Sequence, residues 1–155
     1  MIEKKQFTID EWFYHWLADE TKYLQAAKLL LKILDICDKI VLQKSTPLAR
    51  KFYQLDVESG KYPPQQREVI RIIKSQFLSN SLKIHWIDEV DDLSEGIELI
   101  LPRKDVYLVK MCLKTEDKIL VTTDQGLYDS LIQCKPELNI TPIFAEQFIE
   151  NYLSS

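Results

Sequence analysis

The chain has 155 residues, about the length of one domain, and we expect residues 1–155 to fold as a single domain. It carries 20 basic and 24 acidic residues, and its net charge of −4 excludes a protein that coats nucleic acid with a generally basic surface. The three glycines are too widely spaced for a glycine-rich loop, so phosphate-binding P-loops and dinucleotide-binding fingerprints are excluded as well.

The amino-terminal third of the chain predicts a strand followed by two helices. Residues 5–10 contain alternating apolar residues and end in an acid, which indicates a short strand. A helical period of apolar residues begins at Trp12, and residues 20–38 show this period most clearly. The inner stripe of helix 20–38 is expected to contain Leu24, Ala27, Leu31 and Leu34, widened by Leu30 and Ile33.

The next segments predict a buried strand and two helices. The apolar run at 39–42 (KIVL) is typical of a strand covered on both faces. Thr46 and Pro47 place a hydroxyl cap before a first-turn proline, which predicts a helix over 45–55. A proline-containing break follows, and the helical period resumes over 65–78.

The second half of the chain repeats the alternation of strands and helices. Residues 83–87 (KIHWI) and 118–121 (KILV) predict strands, and a further helix is expected to begin at Asp105. The intervening segment 88–101 is acidic: the stretch from Ile84 to Leu101 contains six acids and no base. Its pattern does not distinguish a loop from a helix.

The chain is predicted to end with helix 126–134, strand 138–140 and helix 142–153. Because the continuous apolar runs at 39–42 and 118–121 suit strands buried on both faces, the sheet is expected to be parallel. The predicted fold is therefore a three-layer α/β/α domain around a central parallel sheet of four to five short strands.

The cysteines and histidines do not form a recognisable metal-binding pattern. Cys37, Cys112 and Cys134 lie far apart in apolar helical contexts, so we expect buried, reduced thiols. His15 and His85 are also distant, and no paired spacing indicates a zinc site. No apolar run approaches 18 residues, so neither a transmembrane span nor a membrane partner is expected.

Three aspartates lie at positions where the predicted fold would bring them together. Asp10 ends the first strand, Asp124 follows the strand 118–121, and Asp105 begins the helix that leads into that strand. Sites in open parallel sheets lie outside the carboxyl ends of the strands. Hard carboxylate ligands with open positions suit Mg²⁺ or Mn²⁺. The alternative is structural, because Asp105 and Asp124 also stand where helix caps or turn residues are common.

These residues resemble the PIN domain family. The similarity lies in residues 105–131 (DVYLVKMCLKTEDKILVTTDQGLYDSL), in the closing residues 139–153 (NITPIFAEQFIENYL) and in the aspartate that ends the opening FTID. It covers the chain in layout but only about the last third in motif.

The resemblance implies a metal-dependent endoribonuclease that cleaves phosphodiesters of single-stranded RNA with metal-activated water, using Mg²⁺ or Mn²⁺. Asp10 would be the central metal ligand, Asp105 and Asp124 would complete the site, and Thr122 would orient Asp124 or a water molecule. The expected RNA-binding residues are Arg50, Lys51, Arg103 and Lys104. The reduced cysteines indicate a cytoplasmic protein. The resemblance adds an antitoxin or other protein partner and a homodimer as further expectations.

The chain departs from the family pattern at two places. Glu11 and Trp12 follow the first aspartate where the family has small polar residues, and Arg50 or Lys51 falls where the family has a glutamate. A cation there would repel a second metal ion and is expected to pair with Asp10. The alternative function is therefore a catalytically degenerate module that binds RNA or a protein. An unrelated receiver-like domain is disfavoured because Gln43 follows the strand 39–42 where a phosphoacceptor aspartate is needed.

Overall fold

The computed structural model describes residues 5–154, so the first four residues and the last residue of the predicted domain lie outside the described part. Its centre is one five-stranded sheet in which every pair of neighbouring strands is parallel. The strand order is β3-β2-β1-β4-β5, which confirms the predicted central parallel sheet. The strands are β1 (Gln6–Ile9), β2 (Lys39–Gln43), β3 (Ile84–Ile87), β4 (Ile119–Thr122) and β5 (Thr141–Phe144).

Helices connect the strands, as parallel pairing requires. In chain order they are α1 (Trp12–Ala18), α2 (Tyr23–Asp35), α3 (Pro47–Val57), α4 (Pro64–Ile72), α5 (Glu95–Ile100), α6 (Val106–Cys112), α7 (Gln125–Gln133), α8 (Lys135–Leu138) and α9 (Ala145–Ser154). Short 3-10 turns cover Ser59–Lys61 and Arg103–Asp105, and α4 continues into a π-helical segment at Ile73–Leu78.

The helices pack on both faces of the sheet and give the predicted three-layer α/β/α architecture. Phe7 of β1 packs edge-on against Phe148 of α9, with ring centroids 4.9 Å apart, and Phe13 of α1 contacts Phe52 of α3 on the same side. On the opposite side, Phe144 of β5 stacks on Tyr128 of α7 at 4.2 Å. The sheet therefore contributes apolar side chains to two cores, which explains why its strands read as continuous apolar runs.

The start of α3 follows the sequence signal closely. The Thr46 side chain accepts a hydrogen bond from the Ala49 N–H at 3.4 Å, and Pro47 occupies the first turn. Proline is favourable there because the first-turn N–H groups have no partner within the helix. The turn before it needs Ser45 in the left-handed region (φ 66°) and places α3 beside the carboxyl edge of the sheet.

The predicted last strand, 138–140, and the predicted helix start at 142 are wrong. Leu138 ends α8, and Asn139 adopts the left-handed conformation (φ 55°) that closes this helix. The strand is Thr141–Phe144, with Pro142 paired beside Leu120. Proline is tolerated because β5 is an edge strand, where a missing N–H breaks no interior ladder.

The predicted inner stripe of α2 is wrong at Leu24 and Leu31 and is confirmed at Leu30 and Ile33. Leu24 and Leu31 are 56% and 51% exposed, whereas the buried face contains Ala26, Leu29, Leu30 and Ile33. Apolar residues occupy nearly every position in the carboxyl half of this helix, so the apolar pattern is compatible with two different buried faces.

Cys37 departs from its predicted burial, whereas Cys112 and Cys134 are buried free thiols as expected. Cys37 is exposed because α2 ends at Asp35, before the predicted end at residue 38. No helix within residues 5–154 combines the length and the apolar content that crossing a bilayer requires.

Candidate metal-binding site at the carboxyl edge of the sheet

The carboxyl ends of β1 and β4 lie side by side and bring residues from distant parts of the chain together. Ile9 pairs with Val121, and the Asp10 N–H donates to the Val121 carbonyl at 3.2 Å. Beyond these ends lies a cavity of about 150 Å³. Among the described residues it is lined by Asp10, Glu11, His15, Lys104, Asp105, Thr123 and Asp124. The three aspartates singled out by sequence thus line one cavity.

Asp10 is buried and held by two hydrogen bonds. Its Oδ1 accepts from the Trp12 N–H at 2.9 Å, and its Oδ2 accepts from the Thr122 hydroxyl. Burial raises the pKa of Asp10, the two hydrogen bonds oppose that rise, and the charges of Asp124 and Glu11 reinforce it. Thr122 therefore orients Asp10 directly.

Trp12, which stands where the family has a small polar residue, has a structural role. Its indole Nε1–H donates to the Val121 carbonyl at 2.9 Å, while its backbone N–H bonds Asp10. The ring is buried and packs edge-on against Trp16 at 4.8 Å. The bulky residue therefore ties the turn after β1 to the end of β4 and does not enter the cavity.

Asp105 is the least compensated carboxylate of the three. It is 8% exposed, and its Oδ2 is buried without a hydrogen-bond partner among the described residues. It stands at the start of α6 but makes no side-chain cap hydrogen bond, so the cap interpretation does not account for it. Burial raises its pKa to about 6. Lys104 opposes this rise, and the charges of Asp10, Asp124 and Glu11 add to it.

Asp124 has the structural role that the alternative interpretation gave it. Its Oδ1 caps α7 by accepting from the Leu127 N–H at 3.1 Å, and its Oδ2 pairs with the Lys104 Nζ at 3.2 Å. Burial alone would raise the pKa of Asp124, but these interactions outweigh burial and lower it. Gly126 permits the arrangement, because a Cβ there would lie 3.1 Å from Asp124 Oδ1.

Lys104 is the cation that lies among these acids. Its hydrogen bond with Asp124 and the charges of Asp105 and Asp124 raise its pKa, so the ammonium group stays protonated. Its side chain is 75% exposed, which leaves it free to move out of the cavity into solvent.

The predicted cations at 50 and 51 do not enter the cavity. Lys51 Nζ pairs with Glu11 Oε2 at 3.1 Å, which corrects the expectation that a cation of this helix pairs with Asp10. The Tyr107 hydroxyl donates to the other Glu11 oxygen at 3.4 Å. Arg50 donates to the Ser45 carbonyl at 3.0 Å, away from the acids. Arg103 is exposed and does not line the cavity.

Glu11 and His15 also line the cavity, and the predicted site included neither of them. They lie four residues apart, which places them on one face at the start of α1, and this spacing was the available signal. Glu11 contacts Lys51 and Tyr107, which lie 40 and 96 residues away in sequence, and no local sequence pattern predicts these contacts.

The donor set suits a hard divalent cation, although the side chains are not gathered around one point. The acids supply oxygen ligands, and one of these oxygens is buried without a hydrogen-bond partner in the described part of the chain. Within residues 5–154, however, no group of three or more histidine, cysteine, aspartate or glutamate side chains is positioned to ligate an ion. Ion binding would require Lys104 to leave Asp124 and the carboxylates to move closer together.

Comparison with known proteins found no significant match. No family model matches the chain, and no curated protein or solved structure is significantly similar to it. Function is therefore inferred from the acidic cavity and from the family resemblance of the sequence.

Proposed function

We propose that this protein is a PIN-like, metal-dependent endoribonuclease that cleaves single-stranded RNA in the cytoplasm. The observation that carries the proposal is the buried Oδ2 of Asp105, which has no hydrogen-bond partner within residues 5–154 and belongs to a cavity shared with Asp10 and Asp124. Burying a carboxylate without a partner is costly, and such uncompensated groups are concentrated at functional sites.

The chain would hold Mg²⁺ or Mn²⁺ with Asp10, Asp105 and Asp124. Asp10 is fixed in orientation by Thr122 and Trp12, and Asp124 by the first turn of α7. When bound, the ion would supply charge neutralisation at the phosphodiester and activation of water. Lys104 would leave Asp124 and contact a phosphate of the RNA, assisted by the exposed Arg103 next to it.

A second candidate function is a catalytically degenerate module with the same fold. It is favoured by the Lys104–Asp124 ion pair, since the ammonium group already neutralises one of the expected metal ligands. Such a module would bind RNA through Lys104, Arg103 and the cations of α3 without cleaving it. A protein partner, such as an antitoxin, and a homodimer stay predictions of the family resemblance.

The test is cleavage of a mixed-sequence single-stranded RNA in the presence of Mn²⁺ or EDTA. Wild type is compared with Asp10→Asn, Asp105→Asn and the control Asp88→Asn, which changes an exposed aspartate that does not line the cavity. We expect cleavage that needs Mn²⁺, survives in Asp88→Asn and is lost in both cavity variants. Asp105→Asn is the cleaner of the two, because Asp10→Asn also alters the bond with Thr122.

Two outcomes would contradict the proposal. RNA binding without cleavage by the folded wild type would favour the degenerate module. Cleavage that persists in both cavity variants or in EDTA would show that the acidic cavity does not catalyse the reaction. Circular dichroism of every variant separates loss of activity from loss of fold.

A further inference from the structure

A second cavity lies at the opposite edge of the sheet, where the strands begin. It has a volume of about 330 Å³, roughly twice that of the acidic cavity. Among the described residues it is lined by Lys5, Gln6, Cys37, Lys39, Leu82 and Lys83. This volume lies within the range of small-molecule sites, about 300–1,000 Å³.

The register of the sheet places the three lysines next to one another. The Lys39 N–H donates to the Lys5 carbonyl at 2.9 Å, and the Ile40 N–H donates to the Lys83 carbonyl at 2.9 Å. The lysines therefore occupy adjacent strand starts, which in a sheet are about 4.8 Å apart. The three lysines therefore bring like charges to one end of the sheet, and an anion in the cavity would offset their mutual repulsion.

Two of the ammonium groups are held in place at the cavity wall. Lys83 Nζ donates to the Ile33 carbonyl at 2.7 Å and to the Ile36 carbonyl, at the carboxyl end of α2. Lys39 Nζ donates to the Ser81 carbonyl at 3.2 Å. These acceptors carry no formal charge, so the lysines keep the cavity net positive, and the two ammonium groups are positioned before any ligand arrives.

The acids at this edge are engaged elsewhere. Asp38 is buried, and its two oxygens accept from the Lys5 N–H at 2.7 Å and from the Tyr152 hydroxyl at 2.6 Å. Asp117 accepts from the Gln6 N–H at 2.9 Å. Neither aspartate lines the cavity, so the charged groups that face it within the described part of the chain are the lysines.

We propose that this basic cavity binds a phosphorylated small molecule of nucleotide size. The ammonium groups would hold the phosphate group, and Leu82, together with the lysine methylene stems, would pack against the rest of the ligand. The proposal does not depend on the nuclease assignment, because the two cavities lie at opposite edges of the sheet and share no residue.

Cys37 provides a built-in reporter of ligand binding. It lines the cavity and is exposed, whereas Cys112 and Cys134 are buried at 0% and 1% exposure. A neutral alkylating reagent such as iodoacetamide will therefore modify Cys37 first in the folded protein. Because the reagent is uncharged, simple screening of the lysines by added salt does not change its local concentration.

The experiment measures the rate of Cys37 alkylation by iodoacetamide with AMP, with uncharged adenosine and with sodium chloride of matched ionic strength. We expect saturable protection by AMP only, slowing alkylation about tenfold at a concentration ten times the Kd. Lys39→Gln should abolish most of the protection. Lys28→Gln, which changes an exposed lysine of α2 outside the cavity, should retain it.

The proposal is overturned if AMP gives no protection, or if adenosine or sodium chloride protects as well as AMP does. It is also overturned if protection in Lys39→Gln equals that in wild type. Asp105→Asn should show the same AMP protection as wild type, so failure of the nuclease assignment and failure of this site are distinguishable.

Discussion

Replacing Asp105 with asparagine should stabilise the protein at neutral and alkaline pH. The carboxylate is buried, one of its oxygens has no partner within the described residues, and its pKa is raised to about 6. Asparagine has nearly the same shape and carries no charge. The substitution therefore removes the cost of ionising this side chain inside the protein.

The magnitude follows from the pKa difference between the folded and the unfolded chain. A rise from 3.8 to about 6 corresponds to about 3 kcal/mol. The unfolded chain loses the proton first, so ionisation destabilises the fold progressively from about pH 4 to about pH 6, and the penalty is constant above that. Because the asparagine amide is itself costly to bury, we expect a gain of roughly 1–3 kcal/mol at about pH 8 and almost none at about pH 4.

The assay is urea-induced unfolding of wild type, Asp105→Asn and the exposed control Asp88→Asn at these two pH values. The midpoint of Asp105→Asn should move to higher urea at the alkaline pH, with an unchanged slope. A destabilisation of equal size at both pH values would contradict this expectation, because it would show that ionising the Asp105 carboxyl does not destabilise the fold. The control should show no pH-dependent difference from wild type.

Three further substitutions test the surrounding contacts. Thr122→Val should cost about 1–3 kcal/mol in thermal unfolding, because Asp10 loses a donor and the Asp124 N–H loses its acceptor, whereas Thr122→Ser should retain most of the stability. Lys51→Gln should change the free energy of unfolding by less than about 1 kcal/mol, because its ion pair with Glu11 is about one-third exposed; a larger loss in chemical denaturation would mean a stronger pair. Asn139→Ala should cost about 1 kcal/mol in the same measurement and Asn139→Gly should not, because only the left-handed backbone distinguishes them.

The fold was largely predictable because its central strands are short and mostly buried. The runs KIVL and KILV became β2 and β4, and the alternation with helices identified the three layers. The last strand was misplaced because Pro142 argues against a strand unless its edge position is known, and edge position is a property of the whole sheet. The buried face of α2 was predicted only in part for a similar reason, since burial depends on which face of this helix contacts α1 and α9.

The acidic residues of the candidate site were predictable from the sequence, whereas the cations that pair with them were not. Strand ends and a helix start identified Asp10, Asp105 and Asp124, because parallel topology brings such positions to one edge. Lys104 lies beside Asp105 in sequence, yet its partner is Asp124, and Lys51 pairs with Glu11. Such pairings depend on how loops approach one another in space, which local sequence patterns do not encode.

Whether the acidic cavity is a metal centre is best decided by Mn²⁺ binding, followed by loss of the free-ion signal in electron paramagnetic resonance. The account predicts that wild type binds a single Mn²⁺, that Asp105→Asn loses this binding, and that Lys104→Gln binds more tightly because Asp124 Oδ2 is no longer occupied by the ammonium group. Absence of binding by the folded wild type, or equal binding by Asp105→Asn, would contradict the assignment of the acidic cavity as a metal centre.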